Sequence, residues 1–268
     1  LFGAGFMGLF NTHFRMDRWT LQFFMRHDDA EVTYEKLPFP SDDGGNYLFD
    51  LDGTLIDSIH LIMEAFRFTM RTHLGTVPDE TQWRSGFGTP LRSQLEKFAR
   101  SADQTSAMVE TYRSFTAAHH DRLLASYAGI DSVLERLRNR NVKLGIVTSK
   151  SHRLARRGLV RCGLSSFFDV LVGVDDVVLH KPDPAPVVEA LEQLSAEACS
   201  TVFIGDSPFD ICAGRKAGVH TAAALWGPFG RSVLARESPD YWLSEPGCIV
   251  NIEPKEGSNS SGACRSDC

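Results

Sequence analysis

The sequence lacks the features that mark membrane proteins and disulfide-stabilised secreted domains. Its 268 residues contain no apolar run near the ~20 residues that a membrane-spanning helix needs. The six cysteines form no Cys-x-x-Cys pair and no Cys/His zinc spacing, which favours a reducing cytoplasm over a disulfide framework. The short apolar opening LFGAGFMGLF follows no basic region and is a poor signal peptide. We therefore expect a cytoplasmic protein with no membrane partner.

An excess of positive charge is also absent. The net charge of -6 argues against nucleic acid as the main partner. No Gly-x-x-x-x-Gly-Lys loop indicates a P-loop, and no serine lies in a Gly-x-Ser-x-Gly elbow. An acidic protein that acts on an anion needs a metal or a few placed cations, so we searched the chain for such a site. The oligomeric state is not indicated by the sequence.

Hydrophobic patterning divides the chain into a core, an insertion and two extensions. Residues 1–44 and 246–268 have no clear periodicity, which predicts an N-terminal extension and a disordered tail. Residues 59–126 have apolar side chains at helical spacing and no strand pattern, which predicts an all-helical block. Residues 45–58 and 127–245 alternate buried strands with helices and end in a last strand at VHTAAAL. This alternation predicts an α/β fold with a doubly wound parallel sheet.

Polar side chains are concentrated where the predicted strands end or in the loops that follow. In doubly wound sheets, ligands bind beyond the carboxyl ends of the strands. The four clusters are Asp50-Leu51-Asp52-Gly53-Thr54, Thr148-Ser149-Lys150, His180-Lys181-Pro182-Asp183-Pro184 and Gly205-Asp206-Ser207-Pro208-Phe209-Asp210.

These side chains suit phosphate chemistry assisted by a metal. Residues two apart on an extended chain point the same way, so Asp50 and Asp52 can face one site. Several carboxylates near one point repel unless a cation holds them, and oxygen ligands with open positions suit Mg²⁺. Gly53 allows a turn whose N–H groups can cradle a phosphate, while Thr148 adds a hydroxyl and Lys181 a positive charge. Phosphoryl transfer needs such placement and charge neutralisation.

The four clusters, in this order, closely resemble the haloacid dehalogenase (HAD) superfamily, above all in YLFDLDGTLIDS. The resemblance covers about residues 46–244. It implies a Rossmann-like core and makes the helical block at 59–126 a small cap that closes over the substrate. The stretches TYRSFTAAHHD and LGIVTSK, with the DDV…HKPDP segment, are especially similar to the phosphoglycolate phosphatase and bacterial pyrophosphatase branch.

The resemblance also implies a role for each matching residue. Asp50 resembles the nucleophile that forms an aspartyl-phosphate, and Asp52 the general acid and base. The residues that resemble phosphate ligands are Gly53, Thr148, Ser149 and Lys181. Those that resemble Mg²⁺ ligands are Asp50, Asp206, Asp52 through its carbonyl, and Asp210 in a second-shell or water-mediated role. In the cap, Arg84 or Arg92 could meet a substrate carboxylate or a second phosphate.

Some of these residues also have ordinary structural explanations. Asp210 lies in a predicted first helical turn, where a carboxylate interacts favourably with the helix dipole. Arg84 and Arg92 could be surface side chains. His119 and His120 are adjacent, and because adjacent side chains diverge on a helix we expect no metal pair there.

The leading functional hypothesis is a phosphatase for a small phosphorylated metabolite, with 2-phosphoglycolate first. Inorganic pyrophosphate and a nucleoside monophosphate are alternatives. A sugar phosphomutase of this superfamily would use the same aspartates. Resemblance to such mutases would imply a Glu-Asp pair in the fourth cluster, where this chain has Gly205 and Asp206. A catalytically inactive binding module is disfavoured because all catalytic positions are intact. Dehalogenation is disfavoured because Asp52 and Asp206 suit metal-assisted phosphate chemistry.

Overall fold

The computed structural model describes residues 45–252, so the predictions for residues 1–44 and 253–268 lie outside the described residues. The strands, in chain order, are β1 (Asn46–Phe49), β2 (Ile56–Asp57), β3 (Ala125–Ser126), β4 (Leu144–Val147), β5 (Val170–Val172), β6 (Thr201–Gly205), β7 (His220–Ala224) and β8 (Tyr241–Leu243). Six of them form one parallel sheet in the order β5-β4-β1-β6-β7-β8. The first strand among the described residues, β1, therefore lies inside the sheet.

Helices connect the strands and form a separate block. They are α1 (Ile59–Leu74), α2 (Glu80–Arg84), α3 (Leu91–Glu96), α4 (Ala102–Leu123), α5 (Ile130–Arg138), α6 (His152–Arg161), α7 (Ala185–Leu194), α8 (Pro208–Lys216) and α9 (Arg231–Leu234). Short 3-10 turns lie at Ala198–Ser200, Ala235–Glu237 and Pro246–Asn251.

The sheet is buried on both faces, as expected for a parallel sheet between helices. On β1, Tyr47 and Phe49 belong to the apolar cluster that includes α5 and α6. Leu48 points to the opposite face and belongs to the cluster that includes Val187 and Leu191 of α7. The prediction of a doubly wound parallel sheet is confirmed.

The four helices between β2 and β3 pack around an aromatic core of their own. Phe66 of α1 stacks on Trp83 of α2 with ring centroids 4.6 Å apart, and Met108 and Tyr112 of α4 are buried beside them. Strands β2 and β3 pair antiparallel where the chain leaves and re-enters the core, so a two-stranded ribbon carries the helical block. The short helix α2 was not predicted, because its single turn is too short to show a helical period.

The sequence prediction is wrong at the end of the chain. VHTAAAL is not the last strand, since β8 adds to β7 at the sheet edge. Residues 246–252 are predicted to begin a disordered tail, but Pro246–Asn251 form a 3-10 turn that packs on the core together with Ile252. Ile249, Val250 and Ile252 are each at most 2% exposed. Both elements are only a few residues long and lie between Pro, Gly and Ser, so neither shows a periodic pattern.

Cysteine and membrane predictions can be checked within residues 45–252. Cys162, Cys199, Cys212 and Cys248 are not joined in disulfides. No helix in this range is long and apolar enough to cross a membrane.

Replacing Ile249 tests the packing of the final turn. Ile249→Ala should lower the free energy of unfolding by about 2–5 kcal/mol, because it leaves a cavity in the core. Asn251→Ala changes an exposed residue of the same turn and should stay within ~0.5 kcal/mol of the parent chain. Urea denaturation followed by circular dichroism measures both values. Equal stability of the two variants would contradict the packing.

Candidate active site

Three neighbouring strands place a polar side chain at the same sheet edge. Asp50 follows β1, Thr148 follows β4 and Asp206 follows β6, and β4 and β6 pair with the two sides of β1. Their residues are only 4%, 4% and 2% exposed, respectively. The sheet therefore gathers these groups from distant parts of the chain into one buried site, as the sequence predicts.

Lys181 lies in the loop between β5 and α7 and reaches into this site. Its ammonium donates to Asp50 Oδ1 at 2.8 Å, to Asp210 Oδ1 at 2.6 Å and to the Val147 carbonyl at 3.2 Å. Burial alone would lower the pKa of Lys181, but the charges of Asp210 and Asp50 raise it above its usual value. Lys181 therefore stays charged despite its burial.

Asp210 caps a helix, as the sequence suggests, and also contacts Lys181, while its predicted role near Mg²⁺ stays a prediction. It lies in the first turn of α8, where its second oxygen accepts from the backbone N–H of Ser207 at 3.0 Å and from its hydroxyl at 2.6 Å. This capping box satisfies a free donor at the helix start. Its first oxygen binds Lys181, so the capping carboxylate is also part of the site.

Burial shifts the acid–base behaviour of the two other carboxylates. It raises the pKa of Asp50 to about 7, with the Lys181 charge opposing this shift and the Asp210 charge adding to it. It also raises the pKa of Asp206 well above its usual range, and the charges of Asp50 and Asp210 add to the shift. The Thr54 hydroxyl donates to Asp206 Oδ1 at 2.6 Å. The site is thus short of positive charge.

The donor set of this site fits a hard divalent cation. One oxygen from each of Asp50, Asp206 and Asp210 lies within 4.8 Å of the others, and all three residues are buried. Carboxylate oxygens are the ligands that Mg²⁺ and Ca²⁺ prefer. The Asp52 carboxylate is outside this group, and the metal role predicted for Asp52 uses its carbonyl oxygen instead.

Gly53 is required by both conformation and space. Its φ of +89° lies in the left-handed region that residues with a side chain rarely adopt. A Cβ at this position would lie 2.6 Å from Asp206 Oδ2. The tight turn after Asp52 thus leaves room for the Asp206 carboxylate to approach.

Asp52 has a separate set of partners, although it is only two residues from Asp50. Its Oδ1 accepts from the Lys150 ammonium and from the Ser58 hydroxyl, both at 2.6 Å. No role is predicted for Ser58 from the sequence, in which Lys150 is only the last residue of the second cluster. Proximity to Thr148 was the one signal that could have drawn attention to Lys150.

The second cluster also joins the core to the cap. Thr148 Oγ1 accepts from the backbone N–H of Lys150 at 3.2 Å. The Ser149 hydroxyl donates to the carbonyl of Gly88 in the cap at 2.6 Å. Here the hydroxyl predicted to bind phosphate contacts the cap, and the phosphate role of Ser149 stays a prediction.

The cap arginines are paired within the cap. Arg84 lies 3.5 Å from Glu80, and Arg92 lies 3.5 Å from Glu96. Both arginine side chains are exposed, 47% and 54% respectively. Their predicted contact with substrate stays a prediction.

The histidine pair has diverging contacts, as expected from adjacent helical positions. His119 Nδ1 contacts the Phe115 carbonyl at 2.9 Å, whereas His120 Nδ1 contacts Asp121 at 2.8 Å.

The chain has relatives that it matches over nearly their whole length. A candidate pyrophosphatase PpaX of Caldanaerobacter subterraneus subsp. tengcongensis is 40% identical over 76% of this chain and 92% of its own. The pyrophosphatase PpaX of Anoxybacillus flavithermus is 38% identical over 76% and 94%. A solved structure of a candidate phosphoglycolate phosphatase from Lactobacillus plantarum is 26% identical, with a TM-score of 0.70 over 78% of this chain and 99% of that one.

The strands that form the site and the helical block between them lie within one family match. Residues 47–224 match the haloacid dehalogenase-like hydrolases, a range that contains Asp50, Thr148, Lys181 and Asp206. With these residues gathered at the carboxyl edge of a doubly wound sheet, the chain belongs to the haloacid dehalogenase-like hydrolase family.

Proposed function

We propose that this hydrolase removes a phosphoryl group from a small phosphate compound, using Asp50 as the nucleophile and Mg²⁺ as the cofactor. The observation that carries this proposal is the buried cluster of Asp50, Asp206 and Asp210, in which Lys181 contacts Asp50 and Asp210. Three carboxylates and one ammonium leave two excess negative charges (three minus one), which a single divalent cation would offset before an anionic phosphate arrives.

In the first half of the reaction, an oxygen of Asp50 attacks the phosphorus atom, and the bond from phosphorus to the leaving oxygen breaks. Lys181, 2.8 Å from Asp50, offsets negative charge as the phosphoryl group arrives. Thr148, at the same sheet edge as Asp50, offers a hydroxyl donor for the phosphoryl group. The product of this half is an aspartyl-phosphate and a leaving group that needs a proton.

Asp52 supplies that proton and later takes one back. Its carboxyl group protonates the leaving oxygen, and the resulting carboxylate then removes a proton from the water that attacks the aspartyl-phosphate. The second attack releases inorganic phosphate and restores Asp50. Mg²⁺, held by Asp50, Asp206 and the carbonyl of Asp52 with Asp210 nearby, would neutralise charge on the phosphoryl oxygens.

Inorganic pyrophosphate is the specific substrate that the relatives favour, since two of them carry the name pyrophosphatase PpaX. The sequence places 2-phosphoglycolate first, and a structural relative carries the name of a candidate phosphoglycolate phosphatase. Both compounds are small, and in both the leaving group carries negative charge of its own in addition to the transferred phosphoryl group. We propose pyrophosphate first and 2-phosphoglycolate second.

The geometry around Gly205 supports hydrolysis over sugar phosphomutase activity. A Cβ at Gly205 would lie 2.4 Å from the Cβ of Asp210, a distance that real Cβ atoms essentially never show. The resemblance associates such mutases with a glutamate at this position. A glutamate could not replace Gly205 without displacing Asp210. That displacement would disturb both the cap of α8 and the contact with Lys181.

Removing the metal tests the cofactor. EDTA should abolish phosphate release from a panel of pyrophosphate, 2-phosphoglycolate and nucleoside monophosphates, and Mg²⁺ should restore it. Mg²⁺ should also raise the melting temperature of the parent chain, because binding to the folded state stabilises it. Asp206→Asn should lose that thermal shift, whereas Asp183→Asn, outside the carboxylate cluster, should keep it. Full turnover in chelator would refute the mechanism, and isomerisation of a sugar phosphate would indicate a mutase.

Substituting the two aspartates of the first motif tests their separate roles. Asp50→Asn removes the attacking oxygen, so no covalent intermediate and no turnover are expected. Asp52→Asn removes the proton shuttle and should cost about 10²–10⁴-fold in kcat. Asp57→Asn, exposed and nearby, serves as the control.

A trapped adduct provides the decisive measurement. Beryllium fluoride mimics a phosphoryl group on a carboxylate, and a crystal structure should place it on Asp50. An adduct on another side chain, or full turnover by Asp50→Asn, would contradict the assignment.

A further inference from the structure

The Asp52 carboxylate is held at one oxygen only. Lys150 and Ser58 both donate to Oδ1 at 2.6 Å, and within residues 45–252 no donor contacts Oδ2. These two donors come from different parts of the fold, since Ser58 precedes α1 of the cap and Lys150 follows β4 of the core. The carboxylate is therefore fixed from two directions.

The backbone of Lys150 is fixed as well. Its N–H donates to Thr148 Oγ1 at 3.2 Å, and its carbonyl accepts from the N–H of Val174 at 3.0 Å. The lysine and aspartate side chains are only 15% and 20% exposed. Because the pair is largely shielded from water and begins from an anchored backbone, it is stronger and better ordered than an ion pair on the surface.

Two hydrogen bonds to one oxygen decide where a proton can go. With Oδ1 occupied by the Lys150 ammonium and the Ser58 hydroxyl, a proton taken up by Asp52 resides on Oδ2. From there, the Oδ2–H bond breaks as the leaving oxygen gains its proton. In the second half of the reaction, the proton of the attacking water returns to Oδ2.

We propose that Lys150 is a positioning residue that, together with Ser58, fixes Oδ1 of Asp52 and thereby presents Oδ2 as the atom that exchanges the proton. This proposal rests on the proposed function, because it assigns the geometry of the same acid–base step. Lys150 acts through Asp52 and need not touch the phosphoryl group.

The leaving group provides a readout that a purely structural role would not change. A poor leaving group such as an alkoxide depends on protonation by Asp52, whereas p-nitrophenolate leaves with little help. Lys150→Met keeps the length of the side chain but removes its charge and donors. Its kcat/KM, which reports the steps up to the aspartyl-phosphate, should fall by about 10²-fold for alkyl phosphates, the size of loss expected from a misplaced catalytic group. For p-nitrophenyl phosphate the loss of kcat/KM should be only a few-fold.

Further variants isolate the interaction. Lys150→Arg keeps a charged donor and should recover most of the loss. Ser58→Ala should show the same dependence on the leaving group with a smaller amplitude, and it decides the question if Lys150→Met does not fold. Lys143→Met, an exposed lysine at the opposite end of β4, should match the parent chain. Adding Lys150→Met to Asp52→Asn should cost almost nothing more, because both changes remove the same function.

Three results would overturn the proposal. One is equal losses of kcat/KM for every leaving group, which would indicate general damage to the site. Another is a rise in KM confined to pyrophosphate and 2-phosphoglycolate, which would show that Lys150 binds the charge of the leaving group. The third is unchanged kinetics in Lys150→Met and Ser58→Ala while the parent chain turns over. A parent chain that releases no phosphate from any substrate would instead refute the proposed function.

Discussion

The site depends on the buried contact of one ammonium with two carboxylates. Lys181 lies between Asp50 and Asp210, and neither partner is more than 6% exposed at its side chain. Transferring charges from water to a protein interior costs several kcal/mol per ion, so such a group persists only when its charges are paired and hydrogen-bonded. Asp206 adds a third carboxylate without a second cation among the described partners. The folded site therefore has more negative than positive charge and would be stabilised by a bound cation.

The same buried charge explains several local features of the chain. The Ser207 and Asp210 capping box places a carboxylate at the start of α8, where the helix dipole also favours negative charge. Gly53 and Gly205 leave the space that Asp206 and Asp210 occupy. These residues are close to the site because each either supplies charge or makes room for it.

The sequence predicted the sheet and its polar edge because both follow from periodicity. Strands that are buried on both faces read as apolar runs, and their carboxyl ends meet at one edge whatever the loops do. Asp50, Thr148 and Asp206 could therefore be located from the sequence, whereas Lys181 lies in a loop and was identified by its resemblance to a family motif. The partners of Asp52 could not, because 98 positions separate Lys150 from Asp52 and no pattern gives the direction of a side chain after a turn.

Very short elements were the other limit of sequence reasoning. Strand β8 and the turn at residues 246–252 are stabilised by packing against the existing core, and the segments themselves have no propensity strong enough to stand out. The cap contact from Ser149 to Gly88 is of the same kind, since it joins a core loop to a cap loop through one hydroxyl. Features of this type depend on tertiary structure, and a single sequence does not encode them in any local pattern.

The interior place of β1 in the sheet has a consequence for how the chain folds as it is synthesised. β1 is made first, but its neighbours arrive much later, as shown by the pairing of Tyr47 with Leu144 on one side and Val202 on the other. Until then, both edges of this apolar strand are open to the wrong partners, a condition that favours aggregation. The buried residues of the aromatic core of the helical block all lie between Met63 and Tyr112, so this core can form earlier. The strand that precedes the nucleophile therefore waits for its β6 partner until late in synthesis, when the helical block can already be folded.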